Sequence, residues 1–145
     1  MHNRKILIIG EVYVDQHLDI IENGYSTSRL GGIFHAARSC DALNIEYALA
    51  YYAPDYLVKD VEKFGIDVLR ASSIFRLGKV DKAPNVMLIG QSDESGNQLY
   101  ENILGRQAEY VSMLPFMQVL DDFDPTDIIT VSYTHLRAHE TRSNL

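Results

Sequence analysis

Asp15 stands five positions after a glycine-ended apolar run, Lys5-Ile-Leu-Ile-Ile-Gly10, and Gly31-Gly32 opens an apolar stretch that carries His35. An ionised carboxylate accepts hydroxyl hydrogen bonds at roughly twice the strength of neutral pairs. Paired glycines remove side chains so that backbone and ligand can approach, and a helix start leaves N–H groups unpaired. Histidine donates and accepts like an amide, and as a residue type it titrates near neutrality, which makes its contacts pH-dependent. Asp15, Gly31, Gly32 and His35 therefore form the candidate binding set. On residue types alone, Asp15 also reads as a solvated acid at a strand end, Gly31-Gly32 as a tight turn and His35 as a partly buried histidine. Asp19 and Arg29 lie nearby and read as surface charge. No phosphate-binding P-loop, zinc-ligand spacing or Ser/His/Asp arrangement is present, so no catalytic base and no metal ligands are assigned. His135 and His139 imitate an i,i+4 metal pair but belong to the terminal stretch 131–145.

These residues need elements to position them. The β-branched run ending at Gly10 predicts a strand buried on both faces of an α/β sheet. Glu11-Val-Tyr-Val-Asp15 alternates polar and apolar residues, as a strand leaving the core does, and continues towards a turn at Asn23-Gly24. Ile33, Ala36, Ala37, Cys40 and Leu43 share one helical face after the paired glycines. Tyr47–Tyr52 is the next core strand, ended by Pro54-Asp55. Asp55 can cap a helix in which Leu57, Val61 and Phe64 share a face and Gly65 takes the left-handed position past the end. Strand, helix, strand, helix implies a parallel sheet with crossover connections. The runs Ser73–Leu77, Asn85–Gly90 and Asn97–Leu104 predict short strands at the sheet's edge or in a flap. Tyr110–Phe123 returns to helical spacing with Pro115 in its first turn, and Asp127-Ile-Ile129 opens another buried strand.

The chain carries 13 Lys and Arg against 20 Asp and Glu, for a net charge of −7. An acidic surface repels phosphate backbones and anionic lipid, so nucleic acid and membrane are not expected as partners. Cys40 is the one cysteine, which excludes an internal disulfide and implies a cytoplasmic setting. The basic start Met1–Lys5 precedes an apolar run too short for a signal peptide or a membrane span.

Residues Val131–Leu145 resemble a translated sequencing adapter. Codon by codon, Val131–Thr141 match the transposon-end adapter of short-read libraries. The expectation is a native segment 1–130, the amino-terminal part of a longer domain, followed by a non-native tail 131–145.

Four features in order resemble the amino-terminal half of the PfkB carbohydrate kinases, the ribokinase-like family. They are Gly10-x-x-x-x-Asp15 after the first strand, the Gly31-Gly32 helix start, Gly65-Ile66-Asp67 closing the second helix, and the Ser95-Gly96-Asn97 turn between two flap strands. The resemblance spans about residues 4–129. It implies an α/β, ribokinase-like parallel-sheet sandwich with a small β-flap, its flap strands mainly within 12–30 and 73–104, truncated before the nucleotide-binding half. It also implies an ATP-dependent kinase acting on a hydroxyl of a small sugar or sugar derivative, with ATP and Mg2+ serving the full-length parent. Asp15 matches the family's sugar-holding aspartate. The partner is then a small sugar or sugar phosphate, with a homodimer through the flap as a further expectation.

Two departures mark a divergent branch. The family's common Gly-Gly-x-x-x-Asn spacing is replaced by His35 one residue earlier, and Ala53-Pro-Asp55 stands where a Gly-x-Asp-x-x-Gly turn is usual. The family's Gly-Ala-Gly-Asp segment, with its aspartate base, is missing from residues 1–130, so the fragment itself is expected to be inactive. Gly-Glu-Val-Tyr-Val-Asp15 followed by Arg-Leu-Gly-Gly32 also resembles the heptose-phosphate kinases of the family, and a nucleoside kinase is a further alternative. A non-catalytic sugar-binding homologue and a Rossmann-like nucleotide-binding module are the rivals from other classes; the latter needs Gly-x-Gly-x-x-Gly after the first strand, where Gly10 stands alone.

Overall fold

The structure is a computed structural model and describes residues 3–80, 85–92, 98–102, 109–111 and 113–131. Its organising element is β1 (Lys5–Glu22), a strand long enough to serve two sheets. Lys5–Glu11 pairs in parallel with β3 (Glu46–Tyr52), and Ile6–Gly10 pairs in parallel with β8 (Asp127–Val131) on the other side. Beyond Val12 the same strand turns to β2 (Tyr25–Gly32), antiparallel, and to β5 (Val86–Ser92), parallel through Val14–His17. The turn at Asn23-Gly24 has both residues at positive φ, 54° and 82°, the geometry that favours Asn and Gly in hairpins.

The main sheet continues from β3 to β4 (Ser73–Val80), parallel, and then to β7 (Glu109–Val111), antiparallel. On the flap side, β6 (Gln98–Asn102) pairs antiparallel with β5. The α/β parallel core with a β-flap expected from the sequence is thus present. Within it, Ser73–Val80 belongs to the main sheet beside β3, whereas the flap comprises the outer half of β1 with β2, β5 and β6.

Leu7 and Ile8 explain why the first run is apolar throughout. Successive strand residues face opposite sides, and both side chains are fully buried. Ile6, Ile8 and Val12 pack under α1 (Ile33–Ala42) and α2 (Val58–Lys63) with Phe34, Ala37, Tyr47, Leu49, Tyr51 and Val61. Leu7 meets Ala48, Ala50 and Leu77 below α3 (Met113–Phe123), whose Val119 and Phe123 complete that layer. Each such fully buried aliphatic or aromatic side chain contributes about 1.5–3 kcal/mol.

Four local expectations are corrected. Asp55 does not cap the second helix: it begins a 3₁₀ turn, Asp55–Leu57, after Pro54, and its carboxylate accepts from Arg76 Nη2 at 2.7 Å, which lowers its pKa. Gly65 does not end the helix in a left-handed conformation. It lies inside a π-helical turn, Phe64–Val68, packed so close to β4 that a Cβ would meet Ile74 Cδ1 at 2.3 Å and require that side chain to move. Asp127–Val131 is a strand but not a buried one, with Ile128 49% and Ile129 38% exposed. Tyr110, expected in the third helix, falls in β7. The Ser95-Gly96-Asn97 turn and residues 132–145 lie outside the described residues.

Candidate substrate site

Asp15 sits where β1 has passed the carboxyl end of β3, because the β1–β3 pairing ends at Glu11 and Tyr52. In parallel α/β sheets, ligands occupy the crevice beyond the carboxyl ends of the strands. Strand alternation turns Glu11, Tyr13, Asp15 and His17 to one face, and all four are buried. Met87 and Ile89 of β5 pack with Tyr13 on this face.

The Asp15 carboxylate, with only 6% of its side chain exposed, meets His35 Nε2 at 2.9 Å through Oδ2. His35 lies in the first turn of α1 with 53% of its side chain exposed, so the imidazole bridges the buried acid and solvent. The carboxylate fits because of Gly31, its near neighbour across the β1–β2 ribbon: a Cβ there would lie 2.2 Å from Oδ2 and 2.6 Å from Oδ1. Gly32 has a different reason to be glycine. It is the α1 N-cap residue, with φ 65° and ψ −124°, and a Cβ would lie 2.1 Å from the Glu11 carbonyl oxygen. No side chain caps α1, whose first-turn N–H groups lie beside His35 and Asp15. The structure thus brings Asp15, Gly31 and His35 into contact, with Gly32 setting the turn that delivers His35.

Two groups escape a reading of motifs. The first is Asn85, buried at φ 51°, which locks β5 onto β1 at the point where that strand leaves the main sheet. Its Nδ2 donates to Val12 O at 3.0 Å and to Glu11 Oε2 at 3.3 Å, while its backbone carbonyl accepts from Val14 N at 2.8 Å. Tyr13 also donates to Glu11, so the buried carboxylate is held by neutral donors. The odd-numbered positions from Glu11 to His17 were the available signal for this polar face.

The second is Arg38, one helical turn after His35. Its Nη2 donates to Leu30 O at 2.6 Å, its guanidinium lies 5.7 Å from the Phe64 ring centre, and its buried Nη1 has no partner among the described residues. Burial lowers the Arg38 pKa, the Arg29 charge lowers it further, and Asp15 opposes both. A groove of about 430 Å³ is lined by Val14, Leu30, Leu57 and Phe64 with the charged residues Arg29, Asp60 and Lys63.

Among the described residues no group of three His, Cys, Asp or Glu side chains is disposed to hold a metal ion. None of the positive-φ glycines forms a phosphate-cradling loop, since Gly24 lies in the hairpin turn and Gly32 at the α1 cap. No described helix is long and apolar enough to cross a membrane.

A parallel α/β sheet with a β-flap carried by its first strand, and a buried aspartate where flap and sheet meet, defines the ribokinase-like fold. The chain is similar to the solved structure of Sa239 at 15% identity and TM-score 0.57, covering 88% of this chain and 46% of that one. It is also similar to 2-dehydro-3-deoxygluconokinase from Thermotoga maritima, at 12% identity and TM-score 0.56 over 82% of this chain and 39% of the other. A pyrophosphate-dependent kinase in the ribokinase family, solved with a pyrophosphate analog and myo-inositol, gives 12% identity and TM-score 0.52 over 87% and 39%. The chain spans less than half the length of each of these structures. No family model and no curated protein matches its sequence.

Proposed function

We propose that this chain is the sugar-holding part of a ribokinase-fold carbohydrate kinase, and that the parent protein transfers a phosphoryl group to a hydroxyl of a small sugar or sugar derivative. The observation that carries the reading is the buried Asp15 carboxylate beyond the carboxyl end of the parallel strands, in a space that Gly31 leaves open. A carboxylate with one oxygen on His35 keeps lone pairs for substrate hydroxyls. The flap strands β2 and β5 flank it, so a ligand there is enclosed by flap and sheet together. The structural neighbours include kinases named for sugars and sugar derivatives, which supports the substrate class.

The phosphoryl donor of the parent is taken as ATP with Mg2+, bound by segments other than those described. The chain alone then binds substrate without turning it over. The reading is tested by titrating the chain with D-fructose and myo-inositol, followed by NMR shifts of the α1 and β1 amides. Binding that weakens more than tenfold in Asp15→Ala, with the circular dichroism spectrum unchanged, is the expected result; a tenfold loss corresponds to about 1.4 kcal/mol, within the range of one charge-assisted hydrogen bond. Equal affinity in the variant, or phosphoryl transfer by the chain itself, overturns it.

A further inference from the structure

The groove of about 430 Å³ lies between the flap ribbon and the second helix. Val14 of β1 and Leu30 of β2 form one wall, and Leu57 and Phe64, which flank α2, form the other. None of Asp15, Gly31, Gly32 and His35 lines it. Its walls belong to the folded core: Leu57 is 1% exposed, and Val14, Leu30 and Phe64 pack against the cluster beneath α1 and α2. Val68, 63% exposed, carries the apolar surface out to the rim. A mainly apolar hollow of roughly 300–1,000 Å³ with a few polar groups at its edge is the usual form of a small-molecule site.

The edge carries three charges of mixed sign. Asp60 and Lys63 stand three positions apart in α2, a spacing that sets side chains on one helical face, and Arg29 reaches the same groove from β2. All three residues are exposed, and among the described residues no salt bridge joins Asp60 to either base. A neutral apolar ligand leaves these charges unused. An apolar anion brings its charge beside Asp60, and an apolar cation brings its charge beside Arg29 and Lys63. A zwitterion with an apolar body meets both signs and the walls together.

We infer that this groove is a second binding site, which takes a free amino acid with a large apolar side chain. The side chain lies between Val14, Leu30, Leu57 and Phe64, the carboxylate faces Arg29 and Lys63, and the ammonium faces Asp60. Burial of the side chain supplies most of the affinity, because exposed charge pairs are each worth little; the charges supply the selectivity. The ligand touches both the flap ribbon and α2, and so holds one against the other. Nothing in this depends on Asp15 accepting sugar hydroxyls.

The test is an NMR titration of the chain with probes that differ by one group. L-phenylalanine has body, carboxylate and ammonium; 3-phenylpropionate lacks the ammonium, 2-phenylethylamine lacks the carboxylate, and L-serine keeps both charges without the apolar body. L-phenylalanine should bind at least about threefold tighter than each of the others, with amide shifts centred on residues 28–30 and 57–68. Asp60→Asn should bring L-phenylalanine down to the level of 3-phenylpropionate, and the double variant Arg29→Gln, Lys63→Gln should bring it down to that of 2-phenylethylamine. Val68→Asn, at an exposed position, should weaken all three aromatic probes while the circular dichroism spectrum is kept. No binding of L-phenylalanine, equal binding of L-phenylalanine and any other probe, an advantage that survives Asp60→Asn, or shifts centred on other elements overturns the inference. Each of these outcomes leaves the sugar reading standing, since that reading is tested by D-fructose and myo-inositol.

Discussion

Gly31 and Asp15 are matched across the β1–β2 ribbon so closely that a single methyl group on the glycine would occupy the carboxylate's place, 2.2 Å from Oδ2 and 2.5 Å from Cγ. Gly31→Ala must then displace a buried acid from His35. A cost of about 1–3 kcal/mol in thermal or urea unfolding is expected, as for overpacking elsewhere. The cause is checked by the double variant. In an Asp15→Ala background the same glycine substitution should cost little, because the group it collides with is gone. An unchanged penalty there would place the strain in the backbone instead.

Gly32 fails for a different reason, and no second substitution rescues it. Its φ of 65° disfavours any side chain, and the Glu11 carbonyl oxygen, 2.1 Å from where a Cβ would stand, is main chain that cannot rotate away. Gly32→Ala should therefore be more harmful than Gly31→Ala, with the loss of folded signal exceeding about 3 kcal/mol. Equal effects of the two alanines in side-by-side denaturant titrations would contradict this.

Asn85 joins flap to sheet through its side-chain amide, donating to Val12 O and Glu11 Oε2. Asn85→Ala leaves both acceptors short of a donor, at a cost of about 1–3 kcal/mol. Asn85→Asp should be worse at neutral pH, because it sets a second carboxylate against buried Glu11. The order of the two variants reverses if Asn85 matters only for its left-handed backbone, since aspartate tolerates that conformation better than alanine.

How much of this was legible in the residues depends on whether a signal was local. The apolar run at Lys5–Gly10, the Gly31-Gly32 helix start and the Asn23-Gly24 turn are short-range patterns, and each lies where its chemistry puts it. Register is not local. Ser73–Val80 looks like the flap runs that follow it, and only its pairing with β3 places it in the main sheet. Gly65 reads as a helix terminator until β4 brings Ile74 close against it. Asp55 similarly finds Arg76, 21 positions away, a stronger partner than a helix end. At the site, Asp15 and Gly31 stand out as residue types. Arg29 reads as surface charge until strand pairing sets it opposite Asp15, and Arg38 carries no motif that would single it out before the Leu30 carbonyl holds it.

Tyr51 gives the fold an alkaline limit. Burial, with the Glu62 charge adding and Arg76 opposing, pushes its phenol up to about 12 from an ordinary value of 10.0. Between those values the unfolded chain has released the proton and the folded chain has not, so stability present below about pH 10 is lost as the pH rises through 12. Tyr51→Phe should flatten that decline. It should cost nothing at pH 7, since the hydroxyl is buried without a partner among the described residues. A marked loss of stability at neutral pH would mean the hydroxyl is satisfied.

The Asp15–His35 contact can be weighed apart from any ligand. Asp15 has 6% of its side chain exposed, which strengthens the pair, whereas His35 has 53% exposed, which lets solvent screen it. A cycle of Asp15→Asn, His35→Gln and the double variant should give a coupling of about 1 kcal/mol, between the values for surface pairs and charge-assisted bonds. Because an amide at position 35 can still donate to the Asp15 carboxylate, the coupling should be larger when the cycle is repeated with Ala at position 35, which leaves no such bond. A coupling near zero in both cycles would leave the imidazole free of the acid and return His35 to a solvent-facing residue of α1. Arg29, directly opposite Asp15 in the strand register, would then be the natural cation for the carboxylate.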